Sequence, residues 1–255
     1  SDLLVVPEFE FARAQCECKR GVEVTTIARL GLRAGERRRI ALWCRALLRV
    51  HGVKSVTVGS RFPAGVAAEL RRGRVRVRVE DRNLFPRRAC KTEEEIRFIR
   101  RAQRSAVAAM RRAVQTIAAA RVERSGELSF EGKVLTSERV RRAMAHELLE
   151  RGCFCADTIV ACGEDATQPH NQGGGPLRGG ETIVMDVFPQ DLASGYWGDL
   201  TRTVVRGRAP AALRRLFRAV HAAQKTALSA IRPGVKGATV HRRVQEEFAR
   251  RGFET

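Results

Sequence analysis

Long apolar runs are missing: nowhere does the sequence approach the ~20 consecutive apolar residues that a membrane-crossing helix needs. The opening, Ser1-Asp2-Leu3-Leu4-Val5-Val6-Pro7-Glu8, lacks a basic leader and an initiator Met, so it does not read as a secretory signal. That missing Met, and an end at Gly252-Phe253-Glu254-Thr255 just after a helical pattern, lead us to expect a fragment cut at both ends. Lysine and aromatics are also scarce. Only six of the 48 basic residues are Lys, and aromatics make up 5% of the chain, so no basic cluster is interleaved with rings for base stacking. A formal net charge of +20 invites a nucleic-acid reading, because each neutralised phosphate adds salt-dependent affinity. Arginine spread over the whole length is explained more simply by a composition bias, with no specific nucleic-acid partner. Cysteine spacing excludes two further classes. The seven cysteines include Cys16/Cys18 and Cys153/Cys155, each pair with one intervening residue, which fits neither a zinc ribbon nor a redox Cys-x-x-Cys. Reduced thiols in a cytoplasmic protein without a membrane partner are expected. Cys153, Cys155 and Cys162, beside the apolar Thr158-Ile159-Val160-Ala161, read as small buried hydrophobes.

What is there is the composition of a globular chain, 44% apolar and 30% charged, long enough at 255 residues for two domains. Residues 1–88 mix β-branched runs, Val53 to Val58 and Val75 to Val79, with helical stretches such as Glu36 to Val50, which suggests a small α/β domain. In residues 74–79 Arg and Val alternate, putting valines on one strand face and arginines on a solvated other. Asn83 to Cys90 reads as a linker, and a second domain is expected over 89–255. It opens with Thr92-Glu93-Glu94-Glu95, a capping box. Ile96, Ile99, Gln103, Ala106, Met110, Val114 and Ile117 then form one stripe of a core-facing helix. A second helix runs from about Ser137 to Arg151 and stops at Gly152. Beyond Pro210 a third carries Leu213, Leu216, Phe217, Val220, Ala227, Leu228 and Ile231 on its apolar face, until Arg232-Pro233-Gly234 breaks it. His146, His221 and His241 lie on helices without a ligand-spaced partner, and Gly173-Gly174-Gly175 reads as a flexible turn.

The most informative residues are Asp186 and Asp199. The apolar run Ile183 to Met185 delivers the first, a Pro/Gly-containing turn reverses the chain, and the β-branched run Thr201 to Val205 follows the second. If the two strands pair, both carboxylates sit on adjacent strands, close enough to share cations. Hard oxygen ligands on rigid strands suit divalent metals. Two turn acids bonding their own backbone are the plainer alternative.

Gly195-Tyr196-Trp197-Gly198-Asp199-Leu200-Thr201-Arg202-Thr203 after Asp186, with Pro169-His170 ahead of Gly179-Gly180-Glu181, resembles the pita-bread metallopeptidase family, in its Xaa-Pro aminopeptidase and prolidase branch. One departure is Val187-Phe188-Pro189, where the family usually has a small residue and glycine. The resemblance implies an α+β, pita-bread catalytic domain, C-terminally truncated, after a creatinase-type N-terminal domain. It implies a peptidase acting on short Xaa-Pro peptides through two divalent metal ions, manganese, cobalt or zinc. Asp186 would bind one metal, Asp199 would bridge both, and His170 would contact the substrate or its tetrahedral intermediate. Homodimerisation is left open. The family's remaining ligands, a histidine and two glutamates beyond the Pro-Gly break, have no counterpart in these residues, so the chain alone is expected to be inactive. A non-catalytic binding protein of the same fold, a creatinase-like hydrolase and a charge-driven nucleic-acid binder are the competing readings.

Scattered arginines contribute only counterion release, so binding of a random DNA duplex should be weak and disappear at physiological salt. A sequence-selective complex surviving at that salt, measured by fluorescence anisotropy, would overturn this view of the charge.

Overall fold

The computed structural model describes residues 2–18, 21–32, 34–36 and 38–253, with only the backbone described at Ala34. Ser1, Arg37 in the stretch expected to be helical, and residues 254 and 255 lie outside the described residues. The chain divides into two compact units, Ser1–Cys90 and Lys91–Thr255.

The first unit is built from two βαβ crossovers. β1 (Asp2–Val6), α1 (Phe11–Glu17) and β2 (Val22–Thr26) form one, and β1 and β2 pair in parallel from Asp2↔Val22 to Val6↔Thr26. After α2 (Ile40–Val50), the second comprises β3 (Ser55–Gly59), α3 (Ala64–Arg72) and β4 (Arg76–Glu80). Parallel strands cannot be joined by a tight turn, so each pair needs its crossover helix. The helix expected from Glu36 starts only at Ile40, because a short 3-10 turn, Ala34–Glu36, precedes it. On β4 the arginines Arg76 and Arg78 are exposed and Val77 is half-buried as the alternation predicts, but Val79 is exposed as well.

The second unit begins with α4 (Glu93–Ala119). Its capping box forms: Glu95 N–H donates to Thr92 Oγ1 at 3.2 Å, and Thr92 N–H donates to Glu95 Oε2 at 2.7 Å. β5 (Arg121–Val122), β6 (Leu128–Phe130) and β7 (Lys133–Val134) make a small antiparallel sheet, and α5 (Ser137–Glu150) follows with Thr136 as its cap. β8 (Cys153–Phe154), β9 (Ile159–Cys162), β10 (Ile183–Val187), β11 (Gln190–Asp191) and β12 (Leu200–Val204) complete the strands. The central sheet has the order β12-β10-β9, all antiparallel, and β11 pairs with β8. Helices beside antiparallel sheets give the α+β class expected from the sequence.

The core lies where α4 and α5 cover this sheet. Ala106, Ala109, Met110, Ala113 and Ile117 of α4 meet Val140, Met144 and Leu148 of α5 over Val160, Ile183, Met185 and Val187. Along β10 burial alternates strictly: Ile183, Met185 and Val187 are fully buried, while Val184 and Asp186 are not. With a period of two, a slip of one residue would drive Asp186 into the core, so the hydrophobic pattern sets the face on which it emerges. Cys153 is fully buried, and Cys155 and Cys162 pack against the same core, as expected of small hydrophobes.

Two expectations change. α6 (Ala211–Ala230) packs on α7 (Gly237–Arg250), but Ala219, Ala223 and Ala230 are its buried residues. Leu213 is half-buried, but the other large apolar side chains face outward, with Phe217 66% and Leu228 65% exposed. The Gly173-Gly174-Gly175 run is tied down: Gly175 O accepts from Ser137 N–H, Gly175 N–H donates to Glu138 Oε1, and Arg141 donates to Gly173 O. Among the described residues no helix is long and apolar enough to cross a membrane.

Gly173 has φ +73, and a Cβ there would overlap Val160 O and stand 2.6 Å from Ala161 Cα on β9. Gly173→Ala should therefore lower unfolding stability by about 1–3 kcal/mol, the usual cost of overpacking, or more. Denaturant titration checks this, and an unchanged midpoint would refute the close approach.

Candidate metal-binding site

Asp186 and Asp199 are brought together by one continuous antiparallel register. Asp186 pairs with Thr201 and Val187 with Leu200. Gly198 N–H donates to Pro189 O at 2.9 Å and Gln190 bridges Trp197, so the same register continues past the strand ends. It sets Asp199 opposite Phe188, diagonal to Asp186. Side chains alternate between faces, so Asp186, Asp199 and Thr201 share the face turned away from the core. Diagonal neighbours of this kind lie roughly 7–8 Å apart at the backbone, with side-chain ends able to close most of that gap. Thr201 Oγ1 donates to Asp186 Oδ1 at 2.6 Å, fixing one carboxylate oxygen, and no other described side chain bonds that carboxylate. Such a pair supplies hard oxygen donors from adjacent strands, which fits part of a divalent-cation site. Among the described residues, no group of three or more His, Cys, Asp and Glu side chains could hold a metal ion.

His170 reaches the same neighbourhood from a different segment. It follows a 3-10 turn, Asp165–Thr167, and the chain after it is held by Asn171, whose Nδ2 donates to Asp165 Oδ1 at 3.0 Å. His170 and Asp186 line one open pocket of about 420 Å³ with Asp157, Ile159, Gln172 and Phe188. Asp199 is not among its lining residues. Asp157 was not singled out from the sequence. It lies in the bend two residues ahead of Ile159, the β9 partner of Asp186. Gln172 Nε2 donates to its Oδ1 at 3.2 Å.

The loop joining the acids is held by one face of α4. Tyr196 Oη donates to Glu95 Oε1 at 2.8 Å, and the Tyr196 ring lies 5.5 Å from that of Phe98. Asp191 is fully buried; its Oδ2 accepts from Ser194 N–H at 3.0 Å, and its Oδ1 lies 3.1 Å from Arg101 Nε without hydrogen-bond geometry. Gly198 sits against the helix backbone, where a Cβ would come 2.7 Å from Ala102 C and O. Gln103, expected merely on the apolar stripe, holds the backbone of Asp199. Its Oε1 accepts from Asp199 N–H and its Nε2 donates to Asp199 O, both at 2.9 Å. Of the other histidines in this unit, His146 lies on α5, His221 on α6 and His241 on α7, and none of them lines that pocket.

The family model for Metallopeptidase family M24 matches residues 97–255, and the chain belongs to that family. A curated relative, an Xaa-Pro dipeptidase of Pyrococcus horikoshii, is 27% identical over 189 residues, covering 73% of this chain and 50% of its own length. An Xaa-Pro aminopeptidase 2 of Streptomyces coelicolor is 31% identical over 153 residues, covering 57% of this chain and 31% of its own. Among solved structures, the prolidase of Pyrococcus horikoshii superposes with a TM-score of 0.77 at 24% identity, over 98% of this chain and 65% of that one. An Xaa-Pro dipeptidase of Bacillus anthracis gives a TM-score of 0.78 at 17% identity, over 97% and 64%. The fold is the pita-bread fold expected from the sequence. The chain spans half the length of the first of these curated relatives.

Glu138 accepts from Gly175 N–H at 3.1 Å. Its carboxyl is held below the ordinary value of 4.5 by the Thr136 hydroxyl first, then by its own backbone N–H, Gly175 N–H and Arg141. A depressed carboxyl stabilises the fold above the unfolded value, and that contribution is lost as pH falls through the folded one. Thermal unfolding from about pH 5 down to pH 3 should thus show a shallower acid-side loss for Glu138→Gln than for the parent chain. Identical slopes would show that the carboxylate adds nothing.

Proposed function

We propose that the protein carrying this chain is a dinuclear metallopeptidase that hydrolyses the Xaa-Pro bond of short peptides. The observation supporting this reading is the placement of Asp186 and Asp199 on one face of a rigid hairpin in a chain of family M24. The printed names of the relatives, Xaa-Pro dipeptidase and Xaa-Pro aminopeptidase, suggest the substrate class.

In this reading Asp186 would bind one metal and Asp199 would bridge both, whether manganese, cobalt or zinc. When bound, such a pair lowers the pKa of a shared water and polarises the scissile carbonyl. Thr201 orients Asp186 by bonding its Oδ1, leaving the other oxygen for the cation. His170, in the pocket with Asp186, donates a hydrogen bond to the substrate carbonyl oxygen as charge develops there. Two carboxylates offer too few ligands for a catalytic pair of ions, so the 255-residue chain by itself is proposed to be inactive.

The protein containing these residues should cleave an Xaa-Pro dipeptide or tripeptide only with added divalent metal. Asp199→Asn should lower the rate by well over the roughly 10–100-fold that changes outside the ligand set produce. Hydrolysis that survives both a chelator and this substitution would exclude the reading.

A further inference from the structure

The hairpin's outer edge is where Asp199 meets α4. Gly198 N–H is directed across the hairpin to Pro189 O, so in an antiparallel ladder the N–H and C=O of the next residue point the opposite way. Among the described residues β12 has no strand on that side, since the sheet order is β12-β10-β9. The exposed backbone of Asp199 is met by the Gln103 carboxamide, which donates and accepts at 2.9 Å as the peptide group of a neighbouring strand would. Only a side-chain amide of this length carries donor and acceptor side by side; Glu lacks the donor, Leu lacks both, and Met has no donor and only a weakly accepting sulfur. Reach also depends on how closely the helix lies against the hairpin, and Gly198 against the Ala102 backbone sets that distance.

We infer that Gln103 is a positioning residue for the metal site: by fixing both backbone groups of Asp199 it sets the direction in which that carboxylate leaves the strand. The inference rests on the proposed metal role of Asp199 and adds a residue outside the ligand set. A bridging carboxylate must address two cations about 3.5–4 Å apart, so a small rotation of its backbone misdirects one of its oxygens. Asp186 has its own orienting partner in Thr201, and Gln103 gives Asp199 an equivalent one through the main chain. The pair is thereby held from both sides of the hairpin, one acid by its neighbour strand and the other by a helix.

The test uses the 255-residue chain and Mn²⁺ alone, read as paramagnetic broadening of backbone amide signals, which reports weak binding as well as tight. Broadening should centre on Asp186 and Asp199 in the unaltered chain and be lost in Asp199→Asn. Gln103→Met keeps the side-chain length and removes both hydrogen bonds. It should raise the Mn²⁺ concentration for half-broadening roughly tenfold, within the range for outer-shell partners, while the unfolding midpoint stays close to that of the unaltered chain. The Asp199 amide should exchange slowly in the unaltered chain and rapidly in Gln103→Met. If Asp199→Asn abolishes the broadening and Gln103→Met leaves its midpoint unchanged, the positioning role is overturned and the metal reading stands. If Asp199→Asn has no effect, the metal reading fails and takes the inference with it. Should Gln103→Met not fold, a free-surface exchange rate at Asp199 in the unaltered chain overturns the clamp directly.

Discussion

The close approach of α4 to the 190–199 hairpin is the constraint on which the arrangement depends. It is possible because the helix presents a small, fully buried residue there, Ala102, and because position 198 has no side chain. Dispersion falls steeply with separation, so this contact is strong only if the surfaces meet without a gap. Polar links then attach at fixed points along the helix: Glu95 to Tyr196, Arg101 to Asp191, Gln103 to Asp199. A buried carboxylate such as Asp191 is costly unless compensated, and here Ser194 and Arg101 surround it. The loop between the two acids is therefore shaped by a helix that contributes no ligand of its own.

A division of labour between the faces of the sheet follows from the strand period. On β10, Ile183, Met185 and Val187 are spent on the core, and the intervening positions are free to carry polar groups. Asp186 on β10 and Asp199 ahead of β12 inherit the outer face from that alternation, and Asp157, in the bend before β9, joins Asp186 at the pocket. Because the hydrophobic face cannot be exchanged for the polar one without burying charge, the placement of the acids is protected by the stability of the core itself.

Much of this was legible in the residues. Apolar spacing marked α4, the Thr92–Glu95 cap marked its start, Gly152 marked the end of α5, and an apolar and a β-branched run around a Pro/Gly turn marked the hairpin and its acids. The misses share a cause. Gln103 fell on an apolar stripe, and nothing local distinguishes a polar residue tolerated there from one that grips a strand 96 residues away. Large apolar residues on α6 predicted a core face, yet the small ones, Ala219, Ala223 and Ala230, are buried. Three consecutive glycines suggested looseness, whereas Gly173 marks where one backbone presses on another. Periodicity reports which side of an element is apolar; it does not report which neighbour arrives or how near.

The Gln103–Asp199 link also orders events in time. Asp186 and Asp199 are joined by a short loop, and closing such a loop costs little chain entropy, whereas joining Gln103 to Asp199 closes a span of 96 residues. Hairpins form in microseconds, but contacts between distant segments wait for collapse of the intervening chain. The two acids can thus share a face early in folding, while the backbone of one of them acquires its final setting only once α4 has docked.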